Sequence, residues 1–331
     1  MSKKTVAIVG CTGAVGQQML QCLEERNFDV NVKLLASARS VGKVFQFKGQ
    51  DIVVEELTEN SFKDVDYALG ATENDLAKKW IPWANADGVV VVDNSSAFRL
   101  DKDVPLVIPE INPEDIEWNH GIIANPNCAT IIAMVALHEL YKKYHIKRMI
   151  VSTYQAVSGA GVKGIQDLEN QLKDPNAPRT AFPYQIAYNL IPQIGDFDEY
   201  GISKEEWKMQ NEARKMWHDD ELKVNCTCVR VPILRSHSES IFIECEEEVD
   251  VEEARQLISK GQGTVLKDDP QNKIYPMPLD TTDQDLVYVG RIRKDLTDET
   301  GHSMAIFCCG DQIRKGAATN AVQILEKLIN K

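Results

Sequence analysis

Residues 5–10 (TVAIVG) form an unbroken apolar run, the pattern of a strand buried on both faces. Residues 15–25 then place Met19, Leu20 and Leu23 on one side of a 3.6-residue period, which predicts a helix. Strand-like runs recur at 32–36, 52–57, 66–71 and 89–93, with a helical segment at 76–86 between the last two. This βαβ rhythm predicts a parallel, doubly wound sheet. A helix at 128–143 leaves that unit, and the pattern changes. Longer strands at 149–155, 224–232, 240–249, 286–293 and 304–309 mix with helices near 162–173, 204–217 and 251–260, which predicts an α+β unit with a mixed sheet. The stretch 174–203 carries Pro175, Pro178, Pro183 and Pro192 among aromatics and reads as a structured loop. Residues 312–329 read as a closing helix that returns to the first unit.

The composition narrows the function. A chain of 331 residues leaves room for about two domains. The 50 acidic against 37 basic residues, a net charge of −13, argue against nucleic acid as a partner, since no basic run offers a face to a polyanion. No apolar run is long enough to span a membrane, and the N-terminal MSKKT lacks the apolar core of a signal peptide, so a cytoplasmic location is expected. The eight cysteines are then expected to be reduced, and without a CxxC pair no structural metal site is expected.

Three motifs carry chemistry. Gly10-Cys11-Thr12-Gly13-Ala14-Val15-Gly16 follows the first strand and opens the first helix. Glycines there allow a tight turn and let a pyrophosphate approach the helix N-terminal amides, so a dinucleotide site outweighs a plain strand-to-helix turn. Where an NAD site places an acid at the end of the second strand, this chain reads Ser37-Ala38-Arg39-Ser40. A guanidinium there suits a 2′-phosphate and favours NADP; the competing reading is an ordinary surface arginine. Asn125-Pro126-Asn127-Cys128-Ala129-Thr130 places Cys128 at a helix start, where amides and the helix dipole lower a thiol pKa. Position alone leaves a reactive thiol and a buried structural one evenly matched. Arg230 lies in an apolar strand and needs an anionic partner, either a substrate or a structural carboxylate. His237 could deprotonate a thiol, although a lone histidine is more often structural.

With these motifs in view, the sequence resembles the aspartate-β-semialdehyde dehydrogenase family, in a bacterial, Gram-positive-like branch, over nearly the whole chain. The resemblance rests on GCTGAVG (10–16), DNSSAFR (93–99), NPNCAT (125–130), STYQAVSGAG (152–161), the Glu212/Lys215 pair, RVPILRSH (230–237) and GDQIRKGAATN (310–320), all in order. It implies an α/β fold like that of glyceraldehyde-3-phosphate dehydrogenase. Residues 1–128, completed by 312–331, would be a Rossmann-type NADP-binding domain, and 129–311 an α+β catalytic and dimerisation domain. It implies NADPH-dependent reductive dephosphorylation of L-4-aspartyl phosphate to L-aspartate 4-semialdehyde through a cysteine thioester, in the biosynthesis of lysine and diaminopimelate, threonine, methionine and isoleucine.

Carried over residue by residue, Cys128 would be the nucleophile, His237 the acid–base group and Gln155 the orienter of the acyl group. Arg99 and Lys215 would bind phosphate with Asn127 nearby, Arg230 the substrate carboxylate and Glu212 its ammonium group. Cofactor contacts would come from Gly10, Thr12, Gly13, Ala14, Val15, Ser37, Arg39, Ser40, Thr72, Ser158, Gly159, Gln312 and Asn320. The partners implied are the small substrates and a second copy of the chain, a homodimer with a tetramer as the alternative. An N-acetyl-γ-glutamyl-phosphate reductase is the neighbouring alternative, and Glu212 argues against it because an acetamide offers no cation. A catalytically silent relative is the lesser reading, because Cys128, Gln155 and His237 are all in place.

Overall fold

In the computed structural model, which describes residues 3–330, the first apolar run becomes strand β1 (Lys4–Val9) near the middle of a seven-stranded sheet. Its alternate side chains serve two separate cores. Val6 and Ile8 join Met19, Leu20 and Leu23 of helix α1 (Ala14–Glu25), with Ile324 and Leu325 of the last helix (Thr319–Ile329). Ala7 and Val9 lie with Trp80 and Ile81 of helix α2 (Asn74–Ala86). Helices on both faces leave no solvated side for polar residues, hence the unbroken run. Each large apolar side chain buried this way contributes about 1.5–3 kcal/mol.

Around β1 lie β2 (Val30–Ala36), β3 (Val44–Phe47), β4 (Gln50–Glu56), β5 (Tyr67–Gly70), β6 (Val90–Asp93) and β7 (Ile122–Ala124), in the order β3-β4-β2-β1-β5-β6-β7. Every neighbouring pair is parallel except the β3–β4 hairpin. The chain winds outward from β1 to one side and then to the other. The carboxyl ends of β1, β2 and β5 therefore form a switch point, where doubly wound sheets bind ligands. This unit runs through Asn127 and takes back the chain from Ala317; Cys128–Gly316 form the second unit.

The second unit begins with helix α3 (Cys128–Tyr144), whose IIAMVAL run is wholly buried. Its sheet contains β8 (Ile146–Gln155), β9 (Lys223–Arg230), β10 (His237–Cys245), β11 (Thr264–Leu266), β12 (Val287–Lys294) and β13 (Ser303–Gly310). The order is β11-β12-β13-β10-β8-β9; β8–β9 and β11–β12 are parallel and the others antiparallel, so the sheet is mixed. Helix α3 lies on β8, β10 and β13, and α5 (Lys204–Trp217) lies on β9. A capping box of Ser203 and Glu206 starts α5. Helix α4 is Gly161–Lys173 and α6 is Val251–Lys260.

The 174–203 stretch is ordered by buried acceptors on α4. The Asp167 carboxylate accepts the N–H groups of Thr180, Ala181 and Phe182, and Gln171 Oε1 accepts those of Ile186 and Ala187. The closing segment departs from the expected continuous helix. Arg314–Ala318 form a wide π turn, and the regular helix begins only at Thr319. Strands β3, β7 and β11, of three or four residues each, had no counterpart in the sequence pattern. Among the described residues no group of three or more His, Cys, Asp or Glu could hold a metal, and no helix is long and apolar enough to cross a membrane.

Candidate active site

In the first unit, the Gly10–Gly16 turn sits at the carboxyl end of β1. Gly10 has φ +85°, and a Cβ there would lie 2.3 Å from the Ala71 carbonyl oxygen; a Cβ on Gly16 would lie 2.3 Å from the Gly10 oxygen. Both positions therefore require glycine. Gly13 precedes the first residue of α1, no side chain caps that end, and no acid occupies the first turn. The amides around Thr12, Ala14 and Val15 are thus left for an anion.

Thr72 lies against the turn, its γ-methyl 3.2 Å from the position of a Gly10 Cβ, while its hydroxyl accepts the Trp80 indole N–H at 3.0 Å. The Gly10 amide donates to the Leu35 carbonyl at 2.9 Å, which ties the turn to the end of β2. There Ser37 and Arg39 are exposed, Ser40 is buried, and Arg39 makes no ion pair among the described residues. A glycine cradle, an uncapped helix start and an unpaired cation beyond β2 fit a nicotinamide dinucleotide. Cys11, beside the turn, is buried, and that burial pushes its thiol up to about 11, so it is a poor nucleophile at neutral pH.

Arg99 is buried in the same unit and donates to the Asn94 carbonyl at 2.8 Å. Asn127 is buried at the end of this unit. Asn320 is fully buried, and its amide nitrogen donates to the Val107 carbonyl at 3.0 Å and to Asn125 Oδ1 at 2.7 Å.

In the second unit, Cys128 is the first residue of α3, and its Sγ lies 3.4 Å from His237 Nε2. The ring's other nitrogen, Nδ1, accepts the Ala156 N–H at 3.1 Å. Burial and the nearby Arg230 charge hold His237 down at about 3, so the ring is neutral. Arg230 is itself buried, which lowers its pKa, and it donates to the Ala156 carbonyl at 2.7 Å. Its guanidinium stands 5.8 Å from the Phe182 ring centroid. No carboxylate of the described residues lies within ion-pair distance of it, which leaves its charge for an anionic ligand.

Gln155 donates to Thr153 Oγ1 at 3.3 Å and to Glu205 Oε1 at 3.4 Å. Glu212 follows Glu205 by seven residues on α5, which puts both on one face; Lys215 is on the next turn, half-buried. Ser158 and Gly159 lie in the turn Val157–Ala160, and a Cβ on Gly159 would come within 2.7 Å of Arg230 Nη1 and 3.3 Å of His237 Cε1. Gln312 bonds Ser158 Oγ with its amide nitrogen and accepts the Ser236 N–H at 2.8 Å with its oxygen. Ser236 has φ +72° and immediately precedes His237. Gln312 thus holds the strained turn that delivers the histidine.

The structure therefore gathers Cys128, His237, Gln155, Arg230, Ser158, Gly159 and Gln312 in one unit. Sequence reasoning missed Glu205, Phe182, Ser236 and Gly316. A Cβ on Gly316 would lie 2.9 Å from that of Cys128, so the π turn packs directly on the nucleophile candidate.

A doubly wound nucleotide-binding unit and a mixed-sheet unit with a cysteine–histidine pair at a helix start define a dehydrogenase of the semialdehyde class. Residues 5–119 match the family model "Semialdehyde dehydrogenase, NAD binding domain", and residues 137–315 match "Semialdehyde dehydrogenase, dimerisation domain". The aspartate-semialdehyde dehydrogenase of Aquifex aeolicus is 53% identical over 98% of this chain and 98% of its own. That of Bacillus subtilis is 45% identical over 98% and 96%. The crystal structure of aspartate semialdehyde dehydrogenase II from Vibrio cholerae, complexed with ASA, has a TM-score of 0.96 at 42% identity and covers 100% of this chain and 99% of its own. The Candida albicans enzyme with NADP has a TM-score of 0.78 at 26% identity, covering 99% and 98%. The chain belongs to the aspartate-semialdehyde dehydrogenase family.

Proposed function

We propose that the chain reduces L-4-aspartyl phosphate to L-aspartate 4-semialdehyde with NADPH, releasing phosphate, through a thioester on Cys128. The observation that carries this reading is Cys128 Sγ, 3.4 Å from His237 Nε2 at the start of α3. The sulfur attacks the acyl carbon, the bond to the phosphate oxygen breaks, and the amides of the first turn of α3 hold the oxyanion. NADPH, when bound, supplies the hydride that reduces the thioester. Collapse of the adduct releases the aldehyde and returns the Cys128 thiolate.

Arg230 is assigned the substrate α-carboxylate, which supplies the countercharge its buried guanidinium otherwise lacks. Glu212 is assigned the ammonium group, and Gln155, held by Thr153 and Glu205, the orientation of the acyl group. The phosphate assignments of Arg99, Asn127 and Lys215 stand with them. Arg39, with Ser37 and Ser40, is assigned the 2′-phosphate of NADP, a reading the NADP-bound Candida albicans relative supports. The dimerisation-domain match supports a homodimer. A reduced Cys128 suits the cytoplasm, and the semialdehyde would serve lysine and diaminopimelate, threonine, methionine and isoleucine synthesis.

The test runs the reaction backward, because the acyl phosphate is labile. Aspartate semialdehyde with inorganic phosphate is expected to reduce NADP, and omission of phosphate to stop it. Reduction that is indifferent to phosphate would sink the reading. In the same assay Arg39→Ala is expected to narrow the preference for NADP over NAD, and an unchanged ratio removes Arg39 from the cofactor site.

A further inference from the structure

Arg230 is the last residue of β9, and β9 is the last strand of its sheet, so one side of its main chain faces no strand. That side is met by Ile191. The Arg230 N–H donates to the Ile191 carbonyl at 2.8 Å, and the Ile191 N–H donates to the Arg230 carbonyl at 3.0 Å. The side chain meets the same segment again, because the guanidinium carbon stands 5.8 Å from the Phe182 ring centroid. The stretch from Thr180 to Ile191 thus engages Arg230 through both backbone and side chain.

This stretch contains no helix or strand, so its order comes from what it leans on. Helix α4 supplies that support. The buried Asp167 carboxylate accepts the main-chain N–H groups of Thr180 at 2.9 Å, Ala181 at 2.8 Å and Phe182 at 3.3 Å, and the Thr180 hydroxyl at 2.7 Å. These donors replace the water that a buried charge has lost. One turn on, Gln171 Oε1 accepts the N–H groups of Ile186 and Ala187 at 2.8 and 3.2 Å. Val157, Leu168, Ile186, Ala187 and Ile191 close a small apolar core, and Phe182 packs against it. The Phe182 backbone is pinned by Asp167 and its side chain by that core.

A guanidinium is a planar fork on a flexible stem, and its grip on a carboxylate depends on where that plane lies. The hydrogen bond from Arg230 to the Ala156 carbonyl, at 2.7 Å, fixes one point and leaves the plane able to turn about it. The Phe182 ring supplies a second restraint, and its π face lowers the cost of holding a cation out of water. Resting on the dehydrogenase reading above, we infer that Phe182, carried on a strap (residues 180–191) anchored to α4, is a positioning residue that fixes Arg230 in the orientation that captures the substrate α-carboxylate. Phe182 acts through Arg230 alone. Its influence is therefore confined to the ligand that Arg230 holds, and it bears on the semialdehyde rather than on phosphate or NADP.

The experiment compares steady-state constants of the full-length unmodified enzyme, Phe182→Leu and Phe182→Tyr in the direction that oxidises aspartate semialdehyde. Leucine keeps an apolar side chain on the small core and removes the ring. It is expected to raise the KM for the semialdehyde by roughly fivefold to thirtyfold. The kcat and the KM values for phosphate and NADP should stay within about twofold. Phe182→Tyr keeps a ring and is expected to recover most of that loss. An unchanged semialdehyde KM in Phe182→Leu, an equal rise in all three KM values, or a Phe182→Tyr as impaired as Phe182→Leu overturns the inference. A second readout needs no turnover. In side-chain NMR of the ¹⁵N-arginine-labelled protein, Arg230→Lys identifies the Arg230 Nε–H signal by its loss. That signal is expected to shift in Phe182→Leu and to hold its place in Phe182→Tyr; a signal unmoved by Phe182→Leu overturns the inference. Failure of phosphate-dependent NADP reduction in the unmodified enzyme would sink the functional reading, while the NMR comparison would still decide whether Phe182 positions Arg230.

Discussion

Two neighbouring rows of side chains on one face of the six-stranded sheet differ in what meets their polar groups. The first contains Arg230, Gln155, His237 and Gly310, with Arg230 opposite Gln155 and His237 opposite Gly310. The second contains Cys228, Thr153, Glu239 and Cys308, each opposite its neighbour across β9, β8, β10 and β13. All four residues of the first row are strand ends: Gln155 and Arg230 close β8 and β9, His237 opens β10, and Gly310 closes β13. A strand end gives way to loops, and loops bring backbone groups. Ala156 supplies both an N–H and a carbonyl there, and Ser236 supplies the left-handed turn.

The second row lies two residues further into β8, β9, β10 and β13, where ladder bonds already occupy the backbone. Glu239 is fully buried there, neither carboxylate oxygen meets a protein donor, and burial holds its carboxyl well above its ordinary value. The rows are equally sealed from water, yet only the rim of the sheet can dress a buried charge with donors and acceptors. Gly310 adds a steric reason. A Cβ there would lie 2.9 Å from Ile132, so a bare position lets α3 lie close above the rim row.

The largest expected effect comes from Cys128→Ala, which removes the proposed nucleophile and should abolish phosphate-dependent NADP reduction. Residual turnover within tenfold of the unmodified enzyme would place the nucleophile elsewhere. Next is Gly159→Ala. The new methyl would press on both Arg230 and His237, while Gly159 itself is exposed, so the fold should hold. A loss of kcat/KM on the order of 10²-fold is expected with an unchanged Tm, in line with the cost of a 1 Å misplacement. A fully active variant would show that the rim tolerates displacement. Arg230→Lys keeps the charge and loses the fork, which should raise KM by roughly tenfold or more with a smaller effect on kcat. Unchanged kinetics would make Arg230 structural.

The same contrast explains what could be read from the chain. Cys128, Gln155, Arg230 and His237 stand inside contiguous motifs, and the helix start behind Cys128 is visible as the apolar run IIAMVAL. The two sheets were legible because long strands imprint burial on their side chains, continuous in β1 and alternating in β10. The short β3, β7 and β11 leave no periodicity to detect. The groups that condition the site are of another kind. The Ala156 peptide, the left-handed Ser236 and the missing side chain of Gly316 act through backbone, and a side-chain alphabet does not encode where a peptide N–H will point.

The smallest expected effect tests the second row directly. Glu239 has a folded-state pKa raised above the ordinary 4.5, so at low pH both folded and unfolded chains are protonated and the group leaves stability unaffected. As pH rises past 4.5, the unfolded chain releases this proton and the folded one keeps it, so unfolding is increasingly favoured. The slope for one such proton is about 1.4 kcal/mol per pH unit, continuing until the folded group ionises. Glu239→Gln removes the titration and nearly preserves the shape. Urea midpoints measured at intervals from about pH 5 to 8 should therefore diverge, the variant gaining on the unmodified protein as pH rises. Kinetics should change little, because Glu239 touches none of the rim residues by hydrogen bond. Parallel stability curves would mean that Glu239 finds a donor in solution. In that case the two rows would differ in chemistry but not in how well the fold satisfies them, and a strand end would hold no advantage over a strand interior in dressing a buried charge.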